Sequence, residues 1–227
     1  DCRKAKAVRV MNSQVAEKLV DFGVPRPKIR LISAIYVDLE VFKPMDLEKK
    51  YDLIFVGRLA KNKGVNLLLE AAGKLKIKNP NFKLLIVGDG QLRRKLEARS
   101  KKLKLGNNVI FHGWAGDSEE IARLLNQSKI LVMPSYNEGG PRVVAEAMAC
   151  GLPILATSVG IMADILKDGH FGQLIDWDSE DIAEKANRIL ADSSVYQKYS
   201  QTALGISVGF EKKSAIKNYA VKLQELF

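Results

Sequence analysis

Six short apolar runs recur between residues 53 and 175, at 53–57, 83–88, 108–112, 129–133, 153–156 and 172–175. Each is the length of a strand, and between them lie segments with helical spacing at about 65–78, 91–104, 118–127, 141–150 and 162–167. Alternation of strand and helix with short connections predicts an α/β fold, a doubly wound parallel sheet with helices on both faces. Ligands of such sheets lie outside the carboxyl ends of the strands. Gly57, Gly88, Gly113 and Glu138 all fall at strand ends, so four loops are expected to converge on one cleft.

One of these units carries most of the functional information. Residues 129–158 read KILVMPSYNEGGPRVVAEAMACGLPILATS. A buried strand ends at Pro134 and Ser135, and the polar turn Asn137-Glu138-Gly139-Gly140-Pro141 follows. A helix then runs from Arg142 to Cys150, with Val143, Ala147 and Cys150 at helical spacing, until Gly151 stops it. Leu152 to Thr157 is the next strand. Pro141 suits a first helical turn, and a loop at a helix N-terminus is built to receive anions. Two carboxylates mark the unit: Glu138 in the loop and Glu146 eight residues later. One reading is a loop acid favouring the helix dipole plus a solvated helix acid. The other is a pair of acceptors for one polyhydroxylated ligand whose phosphates lie at the helix start.

The spacing Glu138-x7-Glu146 inside EGGPRVVAEAMACGLPILAT resembles the donor-site motif of retaining glycosyltransferases of the GT-B fold, the family-four or group-one type. Three further segments resemble that family in family order: IFVGRLAKNKG at 54–64, LLIVGDG at 84–90 and VIFHGW at 109–114. The resemblance implies the Rossmann-like, C-terminal half of such an enzyme, which binds a nucleotide-diphosphate sugar and transfers the sugar with retention to a glycan or lipid-linked acceptor. It implies that Arg58 and Lys63 neutralise the donor diphosphate, that Glu146 holds ribose hydroxyls, and that Glu138 contacts the donor sugar beside the amides of Gly140 to Val143. Glu138, Arg58 and Lys63 are thereby the residues acting in catalysis. The donor-binding set adds Gly57, Gly88, Gly90, Trp114, Gly139, Gly140, Pro141, Arg142 and Val143. A front-face transfer needs no obligatory cofactor or metal. The sequence departs from the family at Ala34-Ile35-Tyr36, where Asn-Gly is usual, and at Val159-Gly160-Ile161-Met162-Ala163-Asp164, where Ile161 replaces a second glycine and Asp164 a glutamate.

Apart from the resemblance, individual residues stay open. Arg58 and Lys63 are either surface cations or, bracketing a strand-to-helix loop that ends in Gly64, a diphosphate grip. Gly88-Asp89-Gly90 has Arg93 where a dinucleotide fingerprint needs its third glycine, which argues against a dehydrogenase, while close approach of a ligand to the glycines stays possible. Trp114 is either core or a border of the nucleobase. His112 and His170 are the only histidines and are poorly placed for a metal site; Cys150 reads as a small buried side chain.

The chain has 227 residues, long enough for a sizeable core, and no apolar run approaches the ~18 residues of a membrane span. Two cysteines and no signal-like segment point to the cytoplasm, with peripheral attachment to the inner membrane face as a further option. The net charge of +10 favours anionic partners. Residues 92–104 carry Arg93, Arg94, Lys95, Arg99, Lys101, Lys102 and Lys104 on a helix with an apolar line of Leu92, Leu96 and Leu103. That face is either solvated or turned to an anionic membrane, and nucleic acid is the less favoured partner.

Residues 1–50 are expected to comprise the end of an acceptor domain and a linker. A short strand precedes Ser13 as helix cap and a helix with Val15, Leu19 and Phe22 on one face, and KIRLI at 28–32 is a strand. Residues 51–200 form the donor-binding domain, which includes an amphipathic helix at 179–192 with Ile182, Ala186 and Ile189 inward. Residues 201–227 end in a helix at 211–227, expected to pack back on a missing N-terminal domain, so that this chain alone binds donor without completing the acceptor site. Residues 1–24 and the last helix should then expose apolar faces. A noncatalytic nucleotide-sugar-binding module and a GT-B nucleotide-sugar epimerase are the alternatives; the second needs catalytic acids and histidines that the sequence does not place.

Overall fold

The structure, a computed structural model, describes residues 2–166 and 168–224. Its first strands, β1 (Val8–Val10) and β2 (Ile29–Leu31), pair in parallel and are joined by α1 (Ser13–Asp21). Asn12, not the expected Ser13, caps α1: its backbone is extended, and its side chain accepts from the Val15 N–H at 3.0 Å. Ser13 is the first helical residue. Its backbone N–H and hydroxyl donate to the Asp164 carboxylate, so the cap lies one position before the residue that the sequence suggests.

The main sheet contains β3 (Tyr51–Val56), β4 (Leu84–Val87), β5 (Val109–Gly113), β6 (Ser128–Met133), β7 (Ile154–Thr157) and β8 (Gly172–Ile175). All six pair in parallel in the order β5-β4-β3-β6-β7-β8. The central strands are apolar on both faces because both faces are covered: Leu53, Ile54, Phe55 and Leu84 to Val87 are buried. The chain enters at β3, winds to the β5 edge, and returns to lay β6 on the other side of β3. Strand order therefore reverses between β3 and β6, and the ligand crevice of such a sheet opens beside that point.

Helices α2 (Val65–Lys78) and α3 (Arg93–Lys102) cover one face through Leu68, Leu69 and Leu96. On the other face lie α4 (Ser118–Asn126), α5 (Arg142–Ala149) and the short α6 (Met162–Ile165). The first face is completed by α7 (Ser179–Ala191), with Ile182, Ala186 and Ile189 inward as expected. Helix α3 is shorter than the expected 91–104, beginning after Leu92 and yielding at Leu103 before Lys104 takes a positive φ of 54°. The expected helix over 162–167 stops at Ile165, and Lys167 lies outside the described residues.

Two more helices finish the chain. The sequence reading assigned nothing to α8 (Ser193–Ser207), which is capped by Asp192 through the Ser194 and Val195 amides and packs on α5. Helix α9 (Lys212–Gln224) matches the expected terminal helix, of which residues 225–227 lie outside the described residues. It is tied to the 34–38 segment: the Val37 N–H donates to Phe210 O at 2.8 Å and the Lys212 N–H to Val37 O at 2.9 Å. Apolar side chains at the end of α1 and on α9 face solvent, with Phe22 75 % exposed and Ile216 50 %.

Candidate active site

The crevice is built by the backbone before any side chain enters it. Gly64 ends the loop after β3 with φ +66°, and a Cβ there would lie 1.9 Å from Pro134 O, so the loops after β3 and β6 touch only because this residue has no side chain. The Tyr136 N–H donates to Asn62 O at 2.8 Å and fastens the same two loops. Gly88 serves a similar purpose: a Cβ would stand 2.1 Å from Gly57 O. Its bareness is thus required by the neighbouring strand end, with no ligand needed to explain it.

A cleft of about 460 Å³ opens at these strand ends. Gly57, Arg58, Lys63, Gly88 and Trp114 line it together, with Val56 and Ile121 as apolar floor. The expected convergence of loops is met for the first three strands. Trp114 is 76 % exposed, so it is a wall of the cleft and not core. A second hollow of about 680 Å³ adjoins α1 and includes Glu138, Tyr136, Ser158 and Gly160. Lys63 lines the first space and Glu138 the second, and the two side chains meet: Lys63 Nζ lies 2.5 Å from Glu138 Oε1. The buried Ser135 hydroxyl donates to the same oxygen at 2.8 Å. Sequence reasoning missed Ser135 and Asn62, whose neighbourhood to Glu138 and Lys63 is the only hint.

The 139–146 segment stands behind this pair and does not line the first cleft. Gly140 packs against Met11 and Ile35, Gly139 O accepts from Asn12 Nδ2 at 3.3 Å, and Gly90 is likewise outside the lining. Among the described residues no side chain caps α5, so its first amides are left without a side-chain acceptor after Pro141. Glu146, in the second turn of α5, is buried, which excludes the solvated-acid reading. Burial raises its pKa, opposed by Arg142, whose guanidinium is 3.8 Å away. Arg142 also lies over the Tyr36 ring, 4.8 Å from its centroid, so a residue at the position where the linker departs from the family pattern positions this arginine. Asp164 is turned to Ser13 and holds α1 against the sheet domain.

Cys150 is buried as expected, and burial pushes its thiol up to about 12. Among the described residues no group of three or more His, Cys, Asp or Glu is gathered to hold a metal ion, and no helix is long and apolar enough to cross a membrane.

Comparison with known proteins gives a consistent result. The family described as glycosyl transferases group 1 matches residues 38–204. An undecaprenol-linked-glycan α-1,4-N-acetyl-D-galactosaminyltransferase of Campylobacter jejuni is 34% identical over 174 residues, covering 75% of this chain and 47% of that protein. The C-terminal domain of a glycosyl transferase group 1 protein from Francisella tularensis superposes with a TM-score of 0.71 at 28% identity, covering 76% of this chain and 97% of that one. Sucrose-phosphate synthase of Thermosynechococcus elongatus superposes with a TM-score of 0.85 at 27% identity, covering 100% of this chain and 59% of that one. The chain spans about half the length, or less, of the curated relatives it matches.

Proposed function

The chain belongs to the glycosyl transferases group 1 family, and from that premise we propose that it binds a nucleotide-diphosphate sugar in the cleft at the carboxyl ends of β3, β4 and β5 and supports transfer of the sugar, with retention, to an acceptor. The observation that carries the reading is that Arg58 and Lys63 line one cleft and that Lys63 also reaches Glu138, in the loop that leads to the start of α5. Two cations and helix amides suit a diphosphate, and charge that develops on the leaving phosphate is stabilised by groups already in place. Trp114 offers an exposed ring at the other end of the cleft, where a nucleobase can stack.

In this reading Lys63 exchanges partners. Without donor it neutralises Glu138; with donor it turns to phosphate, and the Glu138 carboxylate accepts from sugar hydroxyls. Glu146 takes the ribose hydroxyls from the second turn of α5 once the nucleotide seats against that helix. No metal is required, because the chain's own cations meet the diphosphate. The Campylobacter jejuni relative, named for an undecaprenol-linked glycan, supports a lipid-linked glycan as acceptor class, and residues 51–200 are the donor-binding unit. The expected site of action is the cytoplasm.

The test is donor titration followed by product analysis. Saturable binding of one nucleoside diphosphate sugar, with glycosylated acceptor whose anomeric configuration matches the donor, supports the reading. Binding without product points to a noncatalytic module, and interconversion of the donor sugar itself to an epimerase.

A further inference from the structure

The net charge of this chain is not spread over its surface. Residues 65–104 hold eleven lysines and arginines against three acids, so this short span carries +8 of the net +10. All three acids lie near cations of their own: Asp89 and Glu97 pair with Arg93, and Glu70 pairs with Arg99. Arg94, Lys95, Lys101 and Lys102 have no acidic partner among the described residues, and all four are exposed. On α3 they fall at i, i+1, i+7 and i+8, one stripe on the side opposite the buried Leu96.

The neighbouring helix extends this surface. Helices α2 and α3 lie side by side, joined by Arg99–Glu70 and by the Lys76 ammonium donating to Lys104 O at 2.6 Å. At the end of α2, Ile77 is 84 % exposed between Lys76 and Lys78. Ile77 is thus a large aliphatic side chain held in water with a lysine on either side in the sequence. It suits a boundary that is anionic outside and apolar just beneath.

We infer that the α2–α3 face docks on an anionic lipid bilayer, with the α3 cations among the headgroups and Ile77 entering the interface. A nucleic acid would satisfy the cations but offers nothing to Ile77. The placement also serves the cleft: the groove between the helices includes Asn66, which borders the hollow at Ala60 to Val65, and that hollow shares Asn62 with the cleft at Arg58 and Lys63. A docked chain therefore holds its cleft beside the membrane.

The experiment is co-sedimentation of the full chain with vesicles, one set of phosphatidylcholine alone and one with about one-third phosphatidylserine, at low salt and at about 0.5 M salt. Binding is expected only to the anionic vesicles and only at low salt. Each cation near such a surface strengthens partitioning about fivefold, so reversing Arg94→Glu, Lys95→Glu, Lys101→Glu and Lys102→Glu together should weaken it by more than about 100-fold. Ile77→Ser alone should weaken it about three- to tenfold. Both variants must keep the parent's melting temperature, and neutralisation of the same four sites by Gln is the second variant should the reversal fail to fold. Equal binding to neutral vesicles, no binding at low salt, an unchanged charge-reversal variant, or tighter retention by duplex DNA than by anionic vesicles would each overturn the proposal.

Discussion

Lys63 and Glu138 join the loop after β3 to the loop after β6 through a 2.5 Å contact between Nζ and Oε1, at the reversal of strand order. Both side chains are mostly shielded, and Ser135 is the only other donor to that oxygen among the described residues. Lys63→Met leaves the carboxylate nearly unpaired and is predicted to cost about 1–3 kcal/mol of stability. Adding Glu138→Gln should restore most of that stability but none of the lost diphosphate affinity. Denaturant melts and nucleotide titrations of the two single variants and the double variant check this.

Arg58 is exposed and holds no ion pair among the described residues, so its removal should leave the fold intact. A charge-assisted hydrogen bond to phosphate is worth about 1.5–3 kcal/mol, and Arg58→Ala is predicted to weaken nucleoside diphosphate binding roughly 10- to 150-fold. Calorimetry reads this directly, and equal affinity in parent and variant would remove Arg58 from the diphosphate grip.

Glu146 gives a pH dependence with a definite sign. Burial raises its folded pKa above the unfolded value, so the folded state binds the proton more tightly. The stabilisation this brings is complete below the unfolded carboxylate range and is lost as pH rises through the folded pKa. Glu146→Gln is therefore predicted to exceed the parent in stability near neutral pH, with the gap closing in acid. Paired melts across pH test it; a gap that widens in acid would contradict it. The same variant should bind free nucleotide more weakly if the ribose role is right.

Gly64 supplies a test of the scaffold. Gly64→Ala must fit a side chain at φ +66° against Pro134 O, and a loss of more than about 2 kcal/mol is predicted. Gly139→Ala, where a Cβ meets nothing within 4 Å, should leave melting almost unchanged.

What the sequence made legible was whatever depends on short-range pattern. The six strands and the helices α2, α4, α5 and α7 follow from runs of Leu, Ile and Val broken by turn residues, and each strand was placed within two residues of its ends. The limits lay where partners are far apart in the chain. Asn12 and Ser13 are both good caps, and only the Ser13–Asp164 contact across 151 residues shows why the second is used differently. The burial of Glu146, the stacking of Arg142 on Tyr36 and the need of Gly88 for space beside Gly57 are tertiary facts without a local signature. Helix α8 was missed because its buried residues are few, Ala203 and Ser207, and its apolar periodicity is faint.

If the crevice lined by Arg58, Lys63 and Trp114 is a nucleoside diphosphate site, a nucleotide binds there and depends on both cations. The most direct measurement is calorimetric titration of uridine, guanosine and adenosine diphosphates into the parent and into Arg58→Ala and Lys63→Met. One nucleotide is predicted to bind saturably at a single site, with affinity at least about tenfold weaker in each variant. No heat with any of the three, or binding that both variants retain in full, would show that this crevice is not a diphosphate site.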